Sequence, residues 1–316
     1  MYHPYFRGKQ YELITLRDRA SLIAASGFVP IIEPVKGQLS GLTRALDALF
    51  EEGAQAIVIA NPAIGDHARN HMPITQLLTE TFRDTDQLVI GLMLDEEAEL
   101  DEIRGLCDLY SDQEVAIIHY GFADGGALAG VVADFPNITT SIFIDERSGG
   151  RLYRRHFRGH ASRILVSDGF ERRRNRDHPD SEFFSDLHIT YEDENMTGFG
   201  DFLIVGDDYS EGGGPAYTVA IHITYIDDER DDVMDVHHFK SDSQESPQNP
   251  AGKFAEALRK LIRELDSADC KIFETTAMQE FRDLHARGHY PGLGYVKKLS
   301  MIHHIETLSE YLGRDD

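Results

Sequence analysis

The chain has 316 residues, a net charge of −24 at neutral pH and a pI near 4.9. A surface so acidic repels nucleic acid and anionic membrane as a whole, so any phosphate binding has to be local. No apolar run is long enough to cross a bilayer, MYHPYFRGKQYEL has no leader-type apolar core, and Cys107 and Cys270 lie far apart without metal-ligand spacing; these features argue against a membrane span, a disulfide framework and a zinc site, and predict a cytoplasmic protein.

In chain order, the opening residues lead into an amphipathic segment containing Leu16 and Leu22, then into the apolar run FVPIIEPV, which carries Glu33 and stops before Lys36. GLTRALDALFEEG follows with Leu42, Ala45, Leu46 and Leu49 at helical spacing and a glycine stop at Gly53. The alternation repeats. AIVIANP, LVIGLMLDE, EVAIIHYG, ITTSIFIDER and SRILVSDGF read as buried strands ending at Asn61, Asp95, His119, Asp145 and Asp168, with helical segments between them, PITQLLTETF starting on a proline. Six apolar strands separated by helices predict a parallel sheet, since parallel neighbours need crossovers. A (β/α)8 TIM-barrel-like fold fits the repeat, with an open doubly wound sheet as the alternative.

Beyond Pro179 the segments DLHITYEDEN, FGDFLIVGDDY, YTVAIHITYID and MDVHHFKSD are strand-like and are expected to supply the last two barrel strands and an extra β-hairpin, with SEGGGPA as a hairpin turn. SDSQESPQNPAG is a polar loop, and three amphipathic helices follow it. The expected organisation is one barrel-like domain over residues 1–316: barrel strands in 1–240, the polar loop at 241–252 and a C-terminal helical layer at 253–316.

One stretch opposes the charge of the rest. Between Arg147 and Arg176 stand ten arginines, no lysine and two carboxylates, a local net charge of +8. A guanidinium makes paired hydrogen bonds to phosphate or carboxylate that a lysine does not. Arg151, Arg154, Arg155 and Arg158 fall at helical spacing and form a stripe suited to solvent or to an acidic partner. Arg172, Arg173, Arg174 and Arg176 follow directly on the sixth strand and, with Lys36, form the expected anion site.

In either parallel architecture the C-terminal strand ends make the ligand face, so Glu33, Asn61, Asp95, His119, Asp145 and Asp168 are the expected polar residues of the barrel mouth. The four carboxylates among them suit Mg²⁺ or Mn²⁺, which take oxygen ligands; acidic strand ends also cap the helices that follow, as Asp95 is placed to do. His237–His238 and His303–His304 are adjacent pairs whose side chains diverge, and His222 within YTVAIHITY reads as a core histidine.

At residues 5–13, YFRGKQYEL, followed by residues 28–37, FVPIIEPVKG, the chain resembles the phage-type beta protein family of bacteria and their phages. It looks most like a bacterial subgroup with three further segments: DGF plus an arginine-rich run (Asp168, Gly169, Phe170 and Arg172 to Arg176), EFFSDLH at 182–188, and GFGDF at 198–202 with GGGPA at 212–216. The resemblance extends to about HHFKSD. It implies a barrel-like fold and a place beside a nuclease-like companion in defence or mobile-element regions, and it carries no residue-level activity.

Taken together, these features predict a component of a bacterial anti-phage or mobile-element system that binds a phosphate-bearing ligand, a nucleotide or a nucleic-acid end at the barrel mouth. Two alternatives stand beside it: a metal-dependent phosphodiesterase or nucleotide hydrolase built on Glu33, Asp95, Asp145 and Asp168, and a non-catalytic interaction subunit using the arginine stripe.

Overall fold

The structure, a computed structural model, describes residues 1–209 and 217–314. The SEGGGPA turn and the GGGPA segment fall on residues 210–216, outside the described residues. The chain forms two compact units where one domain is expected: Met1–Asp168 with Thr190–Phe202, and Gly169–Ile189 with Leu203–Asp316.

The first unit is the barrel. Its strands are β1 (Tyr5–Phe6), β2 (Ile31–Ile32), β3 (Ala56–Ile59), β4 (Leu88–Leu94), β5 (Val115–His119), β6 (Ile138–Ile144) and β7 (Ser162–Ser167), each paired in parallel with the next. After β7 the chain leaves for the second unit, where it forms β8 (Ser181–Ser185), and returns as β9 (Gly198–Asp201) to pair in parallel with β7. A parallel bridge between Tyr2 and Phe199 joins the two ends of this eight-stranded sheet, with Phe199 O accepting from His3 N at 2.8 Å. The closing strand is thus GFGD, and DLHIT, expected to be extended, instead forms the short helix Leu187–Thr190.

The barrel strands are apolar on both sides because the interior and the helical layer both bury them. Ile57, Ile59, Val89, Met93, Ala116, Ile118, Ile142, Ile144, Ile164 and Val166 form one core cluster, and alternate residues such as Val58, Leu92, Ile117 and Leu165 are equally buried. Three glycines of the barrel strands stand against close neighbours. A Cβ on Gly91 would stand 3.0 Å from Ile118, in the filled interior; on Gly198 and Gly200 it would lie 2.8 Å from Met1 O and 2.2 Å from His3 O. The two glycines of GFGDF are therefore what lets the N-terminal segment approach β9 closely enough to close the barrel.

The second unit carries the antiparallel sheet β10 (Ala220–Asp227), β11 (Val233–Lys240) and β8, in the order β10-β11-β8. Helices Pro250–Leu265, Thr276–Arg287 and Leu293–Leu312 match the three expected amphipathic segments. They pack Phe254, Leu261, Phe281 and Leu299 with Ile221, Ile223 and Phe239 of the sheet. Asn249 caps the first of them through Gly252 N, and Thr275 the second through Met278 N. Among the described residues no helix is long and apolar enough to cross a membrane.

Candidate functional site

The polar strand ends of the barrel are occupied by structural duties. Glu33 is fully buried, 2.7 Å from the Arg7 guanidinium, and accepts from Tyr5 Oη at 2.9 Å. The Asn61 side chain completes the backbone of β4, donating to Met93 O and accepting from Met93 N, each at 2.8 Å. Asp95 accepts from Glu97 N and shapes the turn ahead of its helix, while Asp145 lies 3.6 Å from Arg154. Asp168, the last residue of this unit before the chain leaves it, is partly exposed.

His119 is turned away from the interior cluster. Its Nδ1 lies 2.9 Å from Tyr153 Oη, its Nε2 3.1 Å from Ser141 Oγ, and its ring stacks on Phe143. Burial, and then His160 nearby, hold it well below the usual histidine pKa, so it is a neutral packing group and not a barrel-mouth ligand. The expected metal set is corrected in the same way. Among the described residues, Glu33, Asp95, Asp145 and Asp168 do not bring three ligand atoms within 4.8 Å of one another. Glu33, Asp95 and Asp145 are each engaged with an arginine or a backbone amide of their own.

The arginine stripe is shorter than its spacing suggests. The helix covers only Arg151–Arg154 and tightens into a 3₁₀ turn at Arg155–Phe157, so the four side chains do not share one α-helical face. Arg151 and Arg154 both reach Glu194 within the barrel unit, at 2.8 and 3.5 Å; Arg155 and Arg158 are exposed.

The later arginines belong to the second unit, where they line a pocket of about 790 Å³. Arg173, Arg174 and Arg176 stand on its wall with Lys297, Asn175, His222 and Ser300; Phe170, Tyr217, Val296 and neighbouring aliphatic side chains give it an apolar side. Among the described residues no carboxylate lines it. Asn175 holds the arginine loop in place by donating to Thr218 O at 2.9 Å. Two members of the expected anion set fall elsewhere: Arg172 points to Asp208 at 2.8 Å and does not line the pocket, and Lys36 is in the barrel unit. Arg174 is exposed and forms no ion pair among the described residues.

Two of the wall residues also hold a polar cluster. His222 and His238 are directly opposed across the β10–β11 ladder, with Nδ1 atoms 2.7 Å apart. Glu182 pairs with Val236, so it shares that face and meets His238 on the diagonal. Its Oε1 lies 3.0 Å from His238 Nε2 and 3.0 Å from His178 Nδ1, and its Oε2 accepts from Arg173. The His178 ring stacks on that of His238 at 4.3 Å, and Phe170 packs on all three imidazoles, edge-on at 5.0 Å to His222.

Electrostatics in the cluster follow from burial. Desolvation, and then His178, lower His238 to about 4 in spite of Glu182, and His222 is held well below the usual histidine value for the same first reason. Burial alone would raise the Glu182 carboxyl, but hydrogen bonds from His178 and Arg173 and the charge of His238 and Arg173 outweigh it, and the net shift is downward. At neutral pH the arrangement is a carboxylate held by a guanidinium beside two neutral imidazoles, His222 and His238.

Only His178 and Glu182 are close in sequence, four residues apart; His222 and His238 come from two other strands, so local spacing does not assemble the set. The usable signal was the hairpin: a turn at residues 228–232 pairs His222 with His238. Compared with models of known protein families and with curated proteins, the chain matches none.

Proposed function

We propose that the second unit binds a phosphate-bearing small molecule, of the class of a nucleotide or the phosphorylated end of a nucleic acid, in the arginine-walled pocket. The observation that carries this is the charge of the wall: Arg173, Arg174, Arg176 and Lys297, with no carboxylate among the described lining residues, in a chain of net charge −24. Guanidinium groups favour phosphate through paired donors, and Phe170 and Tyr217 offer aromatic surface to a base. The ligand belongs to the second unit and not to the strand ends of the barrel. Binding by itself is sufficient for this role.

The resemblance to the phage-type beta protein family supports a wider setting, a component of an anti-phage or mobile-element system with a nuclease-like companion. Co-purification of such a companion from the native host would test that setting separately.

The binding test is a titration of the full chain with a 5′-mononucleotide and with a short oligonucleotide carrying either a 5′-phosphate or a 5′-hydroxyl. Phosphate-dependent binding that weakens with salt is expected. Equal affinity of wild type and an Arg174→Ala, Arg176→Ala double variant at every salt concentration would remove the proposal.

A further inference from the structure

Beside the pocket wall lies a set of ligand atoms that the anion reading does not use. We propose that His178 Nδ1, His238 Nε2 and a carboxylate oxygen of Glu182 form a binding site for a divalent transition-metal ion of the zinc class.

Size comes first. The two nitrogens each lie 3.0 Å from the same Glu182 oxygen, and all three ligand atoms are within 4.8 Å of one another. An ion bonded at about 2.0–2.2 Å to each ligand needs ligand–ligand separations of about 3.3 Å in a tetrahedral arrangement. The two contacts to Glu182 are thus a few tenths of an ångström short of that separation, and an ion is admitted by an outward movement of the carboxylate with the two nitrogens brought to the same spacing. Two imidazoles and one carboxylate suit zinc, cobalt or iron(II), whereas Mg²⁺ and Ca²⁺ select oxygen ligands. Among the described residues this is the one group of three or more such side chains with its ligand atoms so close together.

The surroundings match what a metal-bound histidine needs. A ligating imidazole holds its other nitrogen protonated on a fixed partner. The His238 Nδ1 atom has that partner in His222 Nδ1 at 2.7 Å. A single proton on this contact serves both states. Without an ion, His238 carries its proton on Nε2 for Glu182 and accepts from His222; with an ion on Nε2 that proton leaves, the contact proton passes to His238 Nδ1, and His222, now accepting at Nδ1, takes up a proton on its Nε2. Arg173 anchors the other Glu182 oxygen, and Phe170 fixes the ring planes. His178 and His238 are almost wholly buried, so their placement does not rest on a mobile surface side chain.

The sequence argued against a zinc site because cysteine spacing is absent. The ligand set proposed here uses no cysteine, and antiparallel pairing brings His238 to the local pair His178 and Glu182.

The test uses the full chain, stripped with a chelator and titrated with Zn²⁺ alone by calorimetry in phosphate-free buffer; Co²⁺ is added in parallel for its visible absorption bands. One ion per chain is expected, with the band pattern of a low-symmetry nitrogen–oxygen site. Glu182→Gln and His178→Gln should each weaken binding by at least about a hundredfold, and His222→Asn, acting through His238, by about ten- to a hundredfold. Circular dichroism of the ion-free variants selects those that remain folded, and either ligand variant alone suffices for the comparison. No ion taken up by the folded wild-type chain would overturn the proposal, as would uptake that Glu182→Gln and His178→Gln both retain. The anion reading is untouched by either result, since Arg174 and Arg176 take no part in the site.

Discussion

The two units place buried charge in opposite ways. In the barrel, Glu33 is enclosed together with Arg7 and Tyr5, and Asn61 is spent on the backbone of β4, so these two strand ends of an apparent ligand face are engaged internally. In the second unit the pocket wall gathers cations with no carboxylate among the described residues, and Glu182 is held by two imidazoles and Arg173. Polar residues at the end of a barrel strand thus mark the ligand face of the architecture in general, but their partners decide whether any chemistry remains available. Here it is the excursion between β7 and β9 that carries an exposed arginine, Arg174, with no ion pair among the described residues.

The sharpest way to break this contrast is in the barrel. Glu33→Ala leaves the Arg7 guanidinium buried without its carboxylate and should destabilise the protein by about 3–5 kcal/mol, read as a fall in denaturation midpoint. A loss of nucleotide affinity in the folded variant, with stability unchanged, would reverse the roles assigned to the two units.

Next comes acid sensitivity. His238 titrates at about 4 in the folded chain against 6.5 unperturbed, so the unfolded chain binds more protons between those values and stability falls as pH drops from about 6.5 towards 4. The contribution is about 3 kcal/mol in full, and His303, also lowered to about 4, adds to the same window. Thermal melts across that range should show the decline, and His238→Gln should flatten it. A profile equally steep in the variant would remove His238 from the cause.

Smaller again is the effect of one pocket arginine. Arg174→Ala should weaken phosphate-dependent binding by about tenfold with no change in melting temperature, since the side chain is exposed. At the bottom of the scale, Arg155→Ala and Arg158→Ala in the barrel unit should alter stability by less than about 0.5 kcal/mol and leave binding unchanged. A binding defect from either would show the two arginine groups acting together.

Strands β2 to β7 were legible because burial on both faces writes them as continuous apolar runs. The ends of the barrel were not. β1 is two residues long, and β9 is GFGD, whose glycines have poor strand propensity but are demanded by the approach of Met1 and His3. DLHIT looked extended because its apolar and polar residues alternate, yet it forms a helical turn. At the site, composition alone pointed to Arg173, Arg174 and Arg176, while Arg172 and Lys36 were grouped with them by charge and separated by the fold. Glu182 and His238 meet only through strand pairing, with 56 positions between them, which no local pattern encodes.

The closing contact of the barrel has a consequence in time. Tyr2 Oη donates to Asp201, 199 positions away, beside the bridge that joins the first strand to the last. During synthesis the first seven strands emerge well before their eighth, and the whole β8 excursion is made before β9 is available. Until then the sheet has two open parallel edges, which in a slow, high-contact-order topology is the period of greatest exposure to misassembly. A nascent chain stalled just before Gly198 should accordingly be protease-sensitive throughout the barrel, and one released past Phe202 resistant.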